Sequence, residues 1–135
     1  MKRLLLITLL TLSSGPAYAG WVSLGGDEKL GLTIYVNPET MSRNGDQMTM
    51  WIMYDFETLQ TKEAGNSFLS AKVQREYDCT KERTRLLAIT KYSDKMGNGK
   101  VVFTSNFDEQ EWAPVAPLTP GTIAQDLWTL ACGKQ

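Results

Sequence analysis

Between positions 32 and 107 apolar residues recur at every second position, in short runs divided by Gly, Asn, Pro and Thr, and this period of two predicts a series of β-strands. Leu32 to Asn37 is β-branched and aromatic, and Pro38 closes it. Asn44-Gly45, at the centre of Arg43 to Asp46, predicts a tight hairpin with positive φ at both central residues. In the run Gln47 to Phe56, Met48, Met50, Ile52, Tyr54 and Phe56 share what should be the deeper face. Thr49, Trp51, Met53 and Asp55 share the other, where Trp51 and Met53 predict partial cover. Beyond a turn at Gly65-Asn66, Phe68 to Cys79 places Leu69, Ala71, Val73, Tyr77 and Cys79 on one face and Ser70, Lys72, Gln74, Glu76 and Asp78 on the other. Thr80-Lys81-Glu82 links tightly to Arg83 to Tyr92, where adjacent Leu86 and Leu87 leave the inward face open. Met96-Gly97-Asn98-Gly99 then turns the chain into Lys100 to Phe107. Strands joined by turns this short pair antiparallel, which predicts a meander of five or six.

The period changes near the C-terminus. Trp112 to Pro117 is extended and proline-rich, and Thr119 is the expected N-cap with Pro120 at the first helical position. Ile123, Leu127, Leu130 and Ala131 then recur at helical spacing over about three turns, with Trp128 and Cys132 on an adjoining stripe and Gly133 as the stop. The fold class expected is α+β: an antiparallel five- to six-stranded meander sheet with one C-terminal helix packed on it.

The N-terminus carries a different pattern. Lys2 and Arg3 precede the apolar run Leu4 to Leu12, helix breakers follow at Ser13 to Pro16, and Ala17-Tyr18-Ala19 stands before Gly20. This is the layout of a cleavable secretory signal peptide over residues 1–19, leaving a single domain over 20–135. The run is half the roughly 20 residues that a membrane span requires, so no span is expected. Without Lys2 and Arg3 the chain has 12 basic against 15 acidic residues, a formal charge of −3, and that balance argues against nucleic acid as a partner. Both cysteines, Cys79 and Cys132, lie in the exported part. An even count in an oxidising compartment reads as one disulfide, which would pin the helix to the sheet. The competing reading, a metal or redox pair, finds neither a CxxC spacing nor any histidine.

Candidate chemistry is sparse. With no histidine, no GxSxG, no P-loop and no GxGxxG, the inventory points away from an enzyme and to no cofactor or metal. Asp55 with Glu57, Glu76 with Asp78, and Asp108 to Glu111 could be nominated as carboxylate pairs, but fifteen acids in this length produce such pairs by chance. Lys72, Arg75, Lys81, Arg83, Arg85 and Lys91 form a basic cluster around Cys79, and simple alternation puts Lys81, Arg83, Arg85 and Lys91 on one face. They serve either as cross-strand partners of Glu76 and Asp78, as charged protection of a sheet edge, or as a basic ledge that docks acidic proteins or sulfated glycans. Trp51 and Trp128 are expected in the core, Trp112 as the anchor of the proline-rich linker, and Trp21 as the most exposed of the four.

Several features together resemble a known family. They are Trp21-Val22, Tyr35-Val36-Asn37-Pro38, Trp51, Tyr77-Asp78-Cys79, the Met96 to Val102 glycine turn, and Trp112 to Pro117 before a helix that ends in Cys132. The chain is similar across its exported part to the surface-adhesin protein E family of bacterial envelope proteins. The resemblance implies a six-stranded antiparallel sheet with the C-terminal helix tethered by a Cys79–Cys132 disulfide. For the adhesin that names the family it also implies binding of host matrix and plasma proteins such as vitronectin and laminin, and homodimerisation. Carried onto this sequence, partner binding falls on Lys81, Arg83 and Arg85. That adhesin is a lipoprotein, whereas Gly20 stands where a lipobox needs cysteine. The expectation is therefore a non-enzymatic exported envelope or binding module, periplasmic or secreted, whose partner is a host matrix or plasma protein or another envelope protein. A true adhesin working through the basic hairpin is one alternative, and a secreted or periplasmic enzyme inhibitor is the other.

Overall fold

The computed structural model describes residues 20–61, 67–108 and 111–133. The expected signal peptide and the Gly65-Asn66 turn lie outside the described residues. The strands are β1 (Val22–Asp27), β2 (Leu32–Val36), β3 (Ser42–Asn44), β4 (Gln47–Gln60), β5 (Phe68–Asp78), β6 (Arg83–Tyr92), β7 (Val101–Asn106) and β8 (Ala113–Pro114), followed by one helix, α1 (Ile123–Cys132). All eight strands join one antiparallel sheet in the order β1-β2-β4-β5-β6-β7, with β3 on β4 and β8 on β6. The class is α+β as expected, with more strands. β1 escapes the alternation pattern because Gly25 and Gly26 interrupt it and the register slips between Ser23 and Gly25.

β2 and β3 share one flank of β4, at Ile52–Phe56 and Gln47–Thr49, and a 3₁₀ turn at Pro38–Thr40 separates them. Asn37 Oδ1 accepts from Glu39 N at 3.2 Å to cap that turn, and Pro38 lacks the N–H that a continuous strand would use. The hairpin into β4 turns one residue later than expected. Asn44 pairs with Gln47, so Gly45-Asp46 is the two-residue loop, and positive φ falls on Gly45 alone (66°). That is the demand of a type II′ turn, with glycine at its first central position.

α1 packs on one face of the sheet. Leu127, Trp128, Ala131 and Cys132 bury against Ile34, Val36, Met48, Met50, Ile52, Val73 and Tyr77. The Tyr77 ring meets Trp128 edge-on at 6.0 Å, and burial pushes its hydroxyl pKa up to about 12. The helix starts three residues later than the expected Thr119 cap. Thr122 is the N-cap, its Oγ1 accepting from Gln125 N at 3.2 Å, because Gly121 has φ +88° and cannot continue a right-handed helix. Gly133 closes α1, donating its N–H to Thr129 O at 2.7 Å. The disulfide Cys79–Cys132 is formed, tying the end of α1 to the turn after β5.

The opposite face is covered by the β6–β7 connection rather than left to water. Ser70 and Asp55 face each other across β5 and β4 and are 0% and 5% exposed. Ser70 Oγ donates to Asp94 O (2.6 Å) and accepts from Gly97 N (2.8 Å), while Asp55 accepts from Met96 N (2.7 Å) and pairs with Lys95 Nζ (3.1 Å). The loop so clasped covers Met53, which is 0% exposed. This accounts for the half-apolar second face of β4, and it commits Asp55 to the fold rather than to a carboxylate pair.

Candidate functional site

The basic hairpin is built on the β5–β6 pairing, where Asp78 stands opposite Arg83 and Glu76 opposite Arg85. Both pairs close as ion pairs, Arg83 Nε to Asp78 Oδ2 at 2.9 Å and Arg85 Nε to Glu76 Oε1 at 2.8 Å. The two guanidiniums also stack on Trp112, 4.5 and 4.2 Å from its ring centroid. Trp112 thereby anchors the proline-rich segment, as expected, and sets β8 against Arg83 and Thr84. The charge on Arg83 and Arg85 is thus largely neutralised locally, and Lys81 remains exposed in the turn beside Glu82. The carboxylates Glu76 and Asp78 are spent here, and part of the Asp108 to Glu111 stretch lies outside the described residues.

Asp78 titrates in consequence. Burial raises its pKa, but hydrogen bonds from the Thr80 hydroxyl, Arg83 and the Thr80 backbone, with the Arg83 charge, outweigh that and hold the carboxyl below its ordinary 3.8. Since folding lowers this pKa, the stabilisation is complete above 3.8 and is lost as pH falls through the folded value. Urea midpoints of the native protein and Asp78→Asn, followed from neutral to acid pH, are expected to converge below 3.8. A gap that persists unchanged in acid would refute this assignment.

Lys91 does not join the hairpin ledge. The β5–β6 register shifts between Gln74/Ala88 and Arg75/Leu86, leaving Leu87 unpaired. This bulge exchanges the faces of every residue after it, so Lys91 projects from the helix-covered face. Arg75 lies on that same face. α1 is ten residues, about 15 Å, while the fourteen residues of β4 run about 45 Å. The helix therefore cannot cover the whole face, and a groove of about 430 Å³ lies beyond it. Tyr54, Phe56, Phe68 and Ile89 line it, with Arg75 at the end near the helix and Lys91 at the other. Phe56 and Phe68 meet edge-to-face at 5.9 Å. The Lys91 ammonium lies 4.7 Å from the Phe68 centroid and 5.2 Å from that of Phe103, itself 42% exposed on β7. Neither Arg75 nor Lys91 has a carboxylate partner among the described residues. The sequence hid this groove because the bulge reverses the parity that places Lys91.

Among the described residues no group of three or more His, Cys, Asp or Glu is placed to hold a metal ion, and no helix is long and apolar enough to cross a membrane. What the fold offers is surface: a disulfide-tethered helix on an antiparallel sheet with an open, positively rimmed groove, the outline of a small binding module. The sequence matches the family Surface-adhesin protein E over residues 21–133, and the chain belongs to that family. Solved structures of Haemophilus influenzae protein E share the fold. Crystal form II superposes with a TM-score of 0.58 at 12% identity, covering 88% of this chain and 91% of that one. Another structure of Haemophilus influenzae protein E gives 0.54 at 13%, covering 90% and 95%, and the protein from a non-typeable strain gives 0.55 at 12%, covering 86% and 77%. No curated protein sequence matches.

Proposed function

We propose that this chain is an exported, non-catalytic adhesin-like module that binds an acidic, apolar segment of a partner protein in the groove beyond α1. The observation that carries the reading is a pair of cations, Arg75 and Lys91, that have no carboxylate partner among the described residues and stand at the two ends of an aromatic trough. Apolar side chains would displace water from Tyr54, Phe56 and Ile89, while carboxylates on the same segment would pair with the rim. Such a contact weakens as salt rises. Export through residues 1–19, a mature chain that begins at Gly20 and is periplasmic or released, and self-association belong to the same proposal.

Surface plasmon resonance against laminin and vitronectin, the ligands the family resemblance implies, tests it. Arg75→Glu with Lys91→Glu is expected to weaken binding about a hundredfold. A second reading places the contact at Lys81, Arg83 and Arg85, and the exposure of Lys81 in the turn favours it. In that case Lys81→Ala alone weakens binding and the groove variant does not.

A further inference from the structure

The other face of the sheet carries a second concavity that neither the groove nor the family explains. It has a volume of about 440 Å³ and lies between the start of β1 and β6. Trp21, Trp51 and Tyr92 line it, each half-buried, with Lys72, Asn37 and Thr90 among them. Trp51 was expected in the core. The structure instead puts it on the face away from α1, opposite Gln74 on β5, with one side open to this pocket.

Lys72 is the unusual member. Its ammonium lies 5.7 Å from the Trp21 ring centroid and 5.3 Å from that of Tyr92, between two of the aromatic walls. Ring faces hold a cation without neutralising it, and Lys72 has no carboxylate partner among the described residues. Its stem is positioned by the loop above. Gly97, at φ +71° where glycine is favoured, lies against the end of that stem: a Cβ there would come 2.6 Å from Lys72 Cε and push the side chain aside. A positive charge is thus held at a fixed point in an aromatic pocket, among an amide and a hydroxyl.

We propose that this pocket binds a carboxylate-bearing sugar residue of an acidic glycan. A pyranose ring has an apolar face of C–H bonds that fits flat on an indole, and hydroxyls at its edge that fit Thr90 and the rim. The size lies in the range of small-ligand pockets, and a few polar groups set among aromatic walls are their usual composition. Neutral sugars would use the rings equally well but leave the ammonium unanswered. The carboxylate of a uronic acid supplies the missing anion as a charge-assisted hydrogen bond. The site is independent of the protein-binding groove, since the two lie on opposite faces of the sheet.

The test is calorimetric titration, with tryptophan fluorescence as a second readout. The acidic probe is a hexasaccharide of alternating glucuronic acid and N-acetylglucosamine, and the neutral probe is the N-acetylglucosamine hexamer. The acidic probe is expected to bind saturably and to perturb tryptophan emission, and the neutral one to bind about tenfold more weakly. Lys72→Gln keeps most of the stem and should remove the preference for the acidic probe. Trp21→Ala, at the chain's edge, should weaken both probes, and Arg75→Glu with Lys91→Glu should leave both unchanged. Circular dichroism melts establish that each variant is folded. Absence of saturable binding of the acidic probe, equal affinity for the two probes, or unaltered acidic binding by Lys72→Gln would each overturn the proposal.

Discussion

Serine at both Cys79 and Cys132 is expected to lower the free energy of unfolding by about 4 kcal/mol, because the bridge closes a loop of 53 positions in the unfolded chain. For a domain of this length that corresponds to a fall in melting temperature of about 15 °C. Since whole domains are stabilised by only about 5–15 kcal/mol, the bridge is a large share of the total. The structural consequence is equally specific. A helix of ten residues is marginal in isolation, and α1 depends on Leu127, Trp128 and Ala131 remaining seated on Met50, Ile52 and Tyr77. Urea and thermal unfolding of the double serine variant and of the dithiothreitol-reduced native protein measure the loss, and Trp128 emission reports whether the helix lifts. An unchanged midpoint after reduction would show that packing alone holds α1. Such dependence on oxidation is what an exported protein can sustain and a cytoplasmic one cannot.

The parts of this architecture that follow a strict period were legible in the sequence. The faces of β4, the antiparallel order of the long strands, the glycine that ends α1 and the reach of Cys79 to Cys132 all came from alternation, turn chemistry or cysteine count. What was not legible comes from single departures from period. One unpaired residue, Leu87, moves Lys91 to the other face and creates a basic groove where alternation predicted a basic ledge. Leu86 and Leu87 side by side marked the place, but nothing local decides which of two adjacent leucines turns inward. Burial of the whole strand decides it. An aromatic residue in a strand predicts the core for Trp51, yet its face is covered only where the 94–97 loop reaches, and it lies beside that cover rather than beneath it. The start of α1 moved for a local reason, since Pro120 is acceptable at the first helical position but the next residue, Gly121, left the helical region.

The same departures place the two candidate sites. A sheet whose longest strand, β4, is three times as long as its single helix must leave part of one face bare, and on that bare part the bulge sets Lys91 on the same face as Arg75, at the other end of the groove. On the reverse face, a loop short enough to be clasped by Ser70 and Asp55 covers Met53 and stops before Trp51. Each site is therefore the edge of a cover: the end of α1 on one side and the end of the β6–β7 loop on the other. This divides the labour of the molecule cleanly. The disulfide and α1 maintain the core, while the polar clasp maintains the second face and, through Gly97, the position of Lys72.

Ser70→Ala tests that clasp. Ser70 is fully buried, and its hydroxyl serves two backbone groups of the loop, the Asp94 carbonyl and the Gly97 amide. Alanine fits the space but leaves both groups without their partner, at about 1–3 kcal/mol for each unsatisfied group, so a loss of about 3 kcal/mol is expected. The native protein, Ser70→Ala and Thr104→Ala should be compared by urea denaturation. Thr104 shares only an exposed hydroxyl contact with Thr90 (3.1 Å), so its loss should stay within about 0.5 kcal/mol. Amide hydrogen exchange then distinguishes two ways of relieving the strain on the buried groups. If the loop stays down, protection at Met96 and Gly97 falls only with global stability. If it lifts, those two amides exchange faster than the strands beneath them, Met53 becomes solvent-exposed, and the ammonium of Lys72 loses the contact that fixes it between Trp21 and Tyr92. The second outcome is expected, because water can satisfy a carbonyl and an amide that the sheet no longer can. A loss under about 1 kcal/mol with unchanged exchange would show that the loop is held without Ser70, by Asp55 through Met96 N and Lys95 and by the Lys95 bond to Phe56 O.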